Sequence, residues 1–240
     1  MKNILKVKVF RCDPETDTTP RYDIFHVPEI KNMAVLDVVF HIQNNQDRSL
    51  AFRSSCRIGM CGSCAMFING KARLACRTGV ATLGTKELTI TPLPNLPVIK
   101  DLLVDMDPFF EKYEKIKPYF IPEEGRKDFC SVPEGLKERR LIDEMLECIT
   151  CGACYSACTI VTTNPEYLGP AALNRAFCLI ADKRDGGGDE RLRIVSDSNG
   201  IWRCHGQFNC GEVCPKKITP TWTIQQLKKR SVFKMMGIHL

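Results

Sequence analysis

Cys148-Ile149-Thr150-Cys151-Gly152-Ala153-Cys154-Tyr155-Ser156-Ala157-Cys158 is the stretch that decides the fold. A second run follows, Cys204-His205-Gly206-Gln207-Phe208-Asn209-Cys210-Gly211-Glu212-Val213-Cys214-Pro215. The first has the spacing C-x2-C-x2-C-x3-C. The second keeps every interval and ends in Cys-Pro, but Gln207 stands where its second cysteine would fall.

Paired runs of this spacing hold two iron–sulfur clusters, as in bacterial two-cluster ferredoxins, and the fourth cysteine of each run ligates the other run's cluster. That exchange groups Cys148, Cys151 and Cys154 with Cys214 as four thiolates for a [4Fe–4S] cluster. It groups Cys204 and Cys210 with Cys158 as three thiolates, because position 207 offers an amide, and three thiolates suit a [3Fe–4S] cluster. Structural zinc also uses C-x2-C pairs, but it takes two such pairs rather than a triplet followed by x3-Cys.

The N-terminal half carries a different cysteine pattern. Leu5, Val7 and Val9 alternate with Lys6 and Lys8, which predicts a half-buried strand. A second strand is expected over 22–27 and a short helix over 34–42, despite its three valines. Cys56, Cys61 and Cys64 then follow the C-x4-C-x2-C spacing of plant-type [2Fe–2S] proteins. Asn69-Gly70 between two apolar runs predicts a hairpin. The hairpin turns the chain back, so Cys76 can complete the set. Gly59 and Gly62 allow the tight backbone that turns N–H groups toward cluster sulfurs. A closing strand is expected over 87–91.

At 240 residues and 44% apolar content the chain can build two domains, each with a core. Fourteen cysteines are too many to be incidental. The opening Met1-Lys2-Asn3-Ile4-Leu5-Lys6-Val7 has no apolar signal core, and no apolar stretch approaches the ~20 residues that span a bilayer. The expectation is a soluble chain in a reducing compartment, where thiolates remain available for iron. The net charge of +6 lies in the tail: Lys216, Lys217, Lys228, Lys229, Arg230 and Lys234 have no acidic residue among them from 215 onward. Such a tail suits an anionic membrane surface or nucleic acid, or is a solvated Lys-rich terminus.

Pro92, Pro94 and Pro97 place a junction without regular structure at about 92–106. This gives a first domain over 1–105 and a second over 106–240. Helices are expected over 109–116, 136–147, 171–181 and 189–195, with an irregular stretch over 118–133. Thr219-Pro220 looks like an N-cap followed by proline, opening a last helix to about residue 233. The fold class is α+β: an N-terminal β-grasp ferredoxin domain, then a helical bacterial-ferredoxin-like domain. Of the remaining cysteines, Cys178 reads as a packing residue, and Cys12 and Cys130 have no assigned role.

A plant-type loop followed by paired runs with one cysteine missing resembles the iron–sulfur subunit of succinate dehydrogenase and fumarate reductase, respiratory complex II. The resemblance also rests on Ser55-Cys56-Arg57, Leu74-Ala75-Cys76-Arg77, Lys100-Asp101-Leu102-Leu103-Val104-Asp105-Met106, Asn164-Pro165-Glu166-Tyr167-Leu168-Gly169-Pro170-Ala171-Ala172 and Cys214-Pro215-Lys216. It implies electron transfer in the order flavin, [2Fe–2S], [4Fe–4S], [3Fe–4S], quinone. It implies three partners: a flavoprotein subunit carrying FAD, membrane anchor subunits with or without haem, and quinone. It implies a peripheral site on the cytoplasmic face of a prokaryotic membrane, and no nucleic acid. It also implies His205 and Lys228 near the quinone, with Trp222, Leu227 and Arg230 on the basic tail facing the anchor. The chain departs from the family in two places. Thr159 follows Cys158 where many members have proline, and Gln207 is larger and more polar than the usual residue. Two other functions compete: an iron–sulfur subunit of another flavoprotein dehydrogenase or thiol-dependent reductase without a quinone anchor, and a nucleic-acid protein with a structural cluster. Three clusters argue against the latter.

Overall fold

Leu5, Val7 and Val9 alternate inward on β1 (Ile4–Arg11), the central organiser of the N-terminal sheet. The computed structural model describes residues 3–122, 135 and 137–238. By contact density the chain forms two compact units, Met1–Met106 with Ile149–Ala157, and Asp107–Cys148 with Cys158–Leu240.

In the first unit β1 pairs antiparallel with β2 (Arg21–Pro28), setting Leu5 opposite Val27. The helix α1 (Val35–Asn45) crosses over and buries Val35, Leu36, Val38, Val39 and Ile42. β-branched residues are mediocre helix formers, but positions 35, 38, 39 and 42 fall on one helical stripe, and burying that stripe outweighs the propensity. Asp37 accepts the Ala34 N–H at 2.9 Å, closing the first turn. β3 (Ala65–Ile68) and β4 (Lys71–Leu74) form the expected hairpin. Asn69 and Gly70 both take positive φ, 46° and 78°, as a two-residue type I′ turn requires. β5 (Glu87–Thr91) runs parallel to β1 and antiparallel to β3, giving the order β2-β1-β5-β3-β4. This is a β-grasp sheet with α1 on its buried face. The cysteine loop lies between α1 and β3, and Cys76 lies in the 3-10 turn after β4.

The stretch 92–106 differs from expectation, because it holds a two-stranded ribbon, β6 (Val98–Lys100) and β7 (Leu103–Val104). Its prolines all precede β6, so none removes a ladder hydrogen bond. Asp101, at the turn with φ 48°, is buried and accepts from Arg11 Nε at 3.0 Å, Cys12 N at 3.1 Å and Ala51 N at 2.9 Å. Arg11 also donates to Asp23, Asp47 and Ser49, so each nitrogen of this buried guanidinium has a partner. The last element of the unit is the single turn α4 (Ala153–Ser156).

The second unit is helical: α2 (Asp107–Lys115), α3 (Lys137–Leu146), α5 (Thr159–Thr163), α6 (Gly169–Ala181), α7 (Gly188–Val195), α8 (Asn209–Glu212) and α9 (Pro220–Met235). Almost every residue of α6 is buried, and α2, α3, α7 and α9 pack around it. Pro170 sits in its first turn, where the missing N–H costs nothing. Thr219 holds the position before α9 but makes no side-chain cap bond, which corrects the N-cap expectation. Its carbonyl instead accepts from Trp222 N at 3.0 Å. Arg191 and Asp185 are buried and ion-paired, with further bonds from Arg191 Nε to the Lys117 carbonyl (2.9 Å) and from Ile121 N to Asp185 (3.0 Å). Most of the stretch expected to be irregular, 123–133, lies outside the described residues, as do Leu136 and Cys130.

Candidate iron–sulfur sites

The loop carrying Cys56, Cys61 and Cys64 is wound so that its amides face inward. Arg57, Gly59 and Gly62 take positive φ of 58°, 76° and 75°. Met60 and Cys61 each donate a backbone N–H to Cys56 Sγ at 3.3 Å. The N–H groups of Ile58, Cys61 and Met60 together pull the Cys56 thiol down to about 6. At the far end Cys76 N donates to Cys64 Sγ at 3.5 Å, so the hairpin does return Cys76 to the loop. Burial pushes the Cys64 thiol up to about 12. Amide donors aimed at thiolate sulfur, on a backbone that bulky residues rarely adopt, fit a cluster better than a set of packing thiols. The Arg57 guanidinium lies 4.4 Å from the Phe40 ring and steadies the outer face of the loop.

The first cysteine run is divided. Ile149–Ala157, with Cys151 and Cys154, belongs to the first unit, and Cys148 closes a segment of the second. Ile149 and Cys151 pack against the β-grasp core. A Cβ on Gly62 would lie 2.7 Å from Cys151 Cβ, so the two cysteine loops touch inside one unit. Asn95 Nδ2 donates to the Ser156 carbonyl at 3.0 Å and holds the run there. The Ser156 hydroxyl is buried and has no hydrogen-bond partner among the described residues. A donor left over between Cys154 and Cys158 fits a nearby inorganic sulfur or thiolate acceptor. In the second unit Lys216 Nζ lies 3.2 Å from Glu147 Oε2, bringing together the residues that flank Cys214 and Cys148.

Cys158, Cys204 and Cys210 line one pocket of about 340 Å³, counting the space open to solvent. Gln207, His205 and Thr159 line it with them. Cys158 precedes α5, and Cys210 lies in α8. Gly206 and Phe208 take positive φ, 71° and 64°, on either side of Gln207. Thr221 Oγ1 lies 3.2 Å from Cys210 Sγ, and Thr159 Oγ1 donates to Gln207 Oε1. Burial pushes the Cys158 and Cys210 thiols upward. Neither threonine carries a motif, and only their places beside Pro220 and Cys158 hinted at a role.

Residues 6–111 match the family described as 2Fe-2S iron-sulfur cluster binding domain, and residues 144–218 match the 4Fe-4S dicluster domain. The fumarate reductase iron-sulfur subunit of Escherichia coli O6:H1 is 38% identical over 96% of this chain and 94% of its own length. The succinate dehydrogenase iron-sulfur subunit of Paracoccus denitrificans is 37% identical over 98% of this chain and 90% of its own. A chain of the Mycobacterium smegmatis Sdh1 complex superposes with TM-score 0.88 at 29% identity, covering 98% of each chain. This chain belongs to the succinate dehydrogenase and fumarate reductase iron–sulfur subunits.

For a subunit of this family, His205 and Lys228 are the residues of interest beside the three-thiol pocket. His205 is exposed on the pocket wall. Lys228, half-buried on α9, donates from Nζ to the Cys204 carbonyl at 2.7 Å. Lys228 therefore braces the cysteine loop rather than extending freely into solvent. Leu227 is fully buried, and Trp222 meets the Phe177 ring edge-on at 5.4 Å, so α9 is a core helix as well as a basic one. Cys178 is buried in α6, with its thiol pushed up to about 12 by that burial, which suits a packing role. Cys12 is buried beside Asp101. Among the described residues no helix is long and apolar enough to cross a membrane.

Proposed function

We propose that this subunit relays single electrons between the flavin of a partner flavoprotein and quinone held by a membrane anchor, in a succinate:quinone oxidoreductase or quinol:fumarate reductase. Cys56, Cys61, Cys64 and Cys76 would hold a [2Fe–2S] cluster. Cys148, Cys151, Cys154 and Cys214 would hold a [4Fe–4S] cluster, and Cys158, Cys204 and Cys210 a [3Fe–4S] cluster. When bound, these groups supply one-electron carriers whose potentials depend on net charge, hydrogen bonds and exposure. The domains proposed are 1–105 for the first cluster and 106–240 for the other two, and 149–157 packs with the first unit.

The observation that carries this reading is the contact of Gly62 with Cys151. It sets the loop of one proposed cluster directly against a ligand of the next, an arrangement that serves transfer and that separate structural sites do not need. The backbone amides around Cys56 stabilise negative charge at that sulfur. The Ser156 hydroxyl stands ready to do the same in the first run, and Thr221 at Cys210. His205, exposed on the pocket wall, would lie near the quinone, and Lys228 fixes the loop that presents it. The relatives support the quinone-linked reading over a subunit without an anchor. The location proposed with this function is peripheral, attached through an anchor subunit at the cytoplasmic face of a prokaryotic membrane.

Anaerobic isolation with the flavoprotein, followed by iron analysis and electron paramagnetic resonance through a redox titration, tests the proposal. Three distinct centres are expected. Cys61→Ala should remove the [2Fe–2S] signal and about two irons while the other centres remain. A colourless zinc protein would overturn the cluster reading. An oxidised protein without a trinuclear signal would overturn the three-thiol assignment alone.

A further inference from the structure

We propose that Thr159 is a positioning residue for Gln207, and that the two side chains form a clasp at the fourth corner of the three-thiol pocket. The inference rests on the assignment of Cys158, Cys204 and Cys210 to one cluster. Gln207 has the same place in the second run that Cys151 has in the first. It lines the pocket together with the three thiols, and so does Thr159. The residues are 48 positions apart, yet the Thr159 hydroxyl donates to Gln207 Oε1.

The chemistry of a primary amide gives this bond its meaning. One end accepts and the other carries two N–H donors. In the observed pairing Oε1 is the end that faces Thr159, so Nε2 is the end that can donate at the pocket. Thr159 is well placed to impose that choice. It is the first residue of α5, immediately after the ligand Cys158, which occupies the N-cap position. The Thr163 hydroxyl bonds back to the Thr159 carbonyl at 3.2 Å, so the turn that carries the clasp is itself tied down. Gln207 lies between two residues of positive φ and is exposed, so its own loop does not fix its rotamer. Without the hydroxyl the amide loses the bond that holds it in this pairing. An N–H aimed at a cluster sulfur stabilises the reduced, more negative state, whereas a carbonyl oxygen opposes it. Thr159 thereby tunes the last centre without touching it.

The experiment uses the intact complex and reads the midpoint potential and line shape of the oxidised trinuclear signal. Thr159→Val keeps the shape and removes the hydroxyl. Its reduction equilibrium should move toward the oxidised form by roughly tenfold, about 59 mV for one electron, with a broader signal. Thr159→Ser should restore both. In a Gln207→Leu background, Thr159→Val should cause no further shift, because the clasp has already lost its partner. Thr159→Val with unchanged potential and line shape would overturn the proposal, and so would an equal shift in the Gln207→Leu background. A wild-type protein with no trinuclear signal would overturn the ligand assignment instead, so the two failures are distinguishable.

Discussion

A β-carbon added to Gly62 would lie 2.7 Å from Cβ and 2.9 Å from Cα of Cys151. Gly62 also has φ +75°, so both conformation and space demand glycine there. The contact is formed by backbone atoms and a β-carbon rather than by flexible side-chain ends. Neither loop can give way without moving a proposed ligand.

Gly62→Ala should therefore destabilise the protein by about 2–4 kcal/mol, from left-handed strain plus overpacking. Gly70→Ala is the matched control. It has φ +78° but nothing within 4 Å, so only the conformational cost of about 1 kcal/mol applies. Denaturant unfolding of the two variants separates the terms. Equal losses would show that the Cys151 contact is loose.

Gln207→Cys restores the full C-x2-C-x2-C-x3-C spacing in the second run. The variant should admit a fourth iron, silence the oxidised paramagnetic signal and lower the potential, since a thiolate adds negative charge. Quinone reduction should slow while reduction of the flavin by substrate stays normal. Persistence of the trinuclear signal after reconstitution with excess iron and sulfide would refute this.

The Arg11 cluster predicts a specific acid sensitivity. The Ser49 hydroxyl, then Arg11, holds the Asp47 carboxyl at about 2. A carboxyl whose folded pKa is depressed stabilises the protein fully above its ordinary range near pH 4, and that contribution fades as pH falls through about 2. Asp47→Asn should cost on the order of 1 kcal/mol at pH 7, reduced by solvent screening at this partly exposed site. The difference from wild type should shrink toward pH 2. Unfolding free energies at the two pH values decide it.

The basic tail is best tested by a surface change. Removing the chain after Lys217 would take Ile224 and Leu227 out of the core of the second unit. Lys229 is exposed, and its ammonium lies 5.6 Å from the Phe233 ring. Lys229→Glu should weaken attachment to an anionic membrane or anchor while dye-linked activity of the soluble pair persists. Undiminished membrane recovery at moderate salt would exclude this face from docking.

Cysteine spacing and alternation made much of this chain legible. Leu5, Val7 and Val9 announced β1, Asn69-Gly70 announced the hairpin, and Pro170 marked the start of α6. These are local signals with a fixed period or a fixed turn chemistry. What escaped depends on partners far along the chain. Asp101 lies 90 residues from Arg11, and no pattern near either forecasts a buried pair. Thr221 and Thr159 look like ordinary helix-start residues until Cys210 and Gln207 are placed beside them. Spacing also groups Cys151 with Cys148, but it cannot say that the intervening backbone packs with a different unit.

That last arrangement bears on how the molecule is made. The first unit comprises two stretches of sequence, and its second stretch is synthesised only after residues 107–148. N-terminal units generally fold first during synthesis. Here the surface near Gly62, Leu93 and Met106 stays uncovered until residues 149–157 have been made, although the buried core of the β-grasp unit lies within residues 5–102. A cut at residue 106 would part 149–157 from the unit with which they pack. The proposed ligands Cys151 and Cys154 thus join the β-grasp unit only with its late-made stretch, which orders the assembly of the proposed centres along the chain.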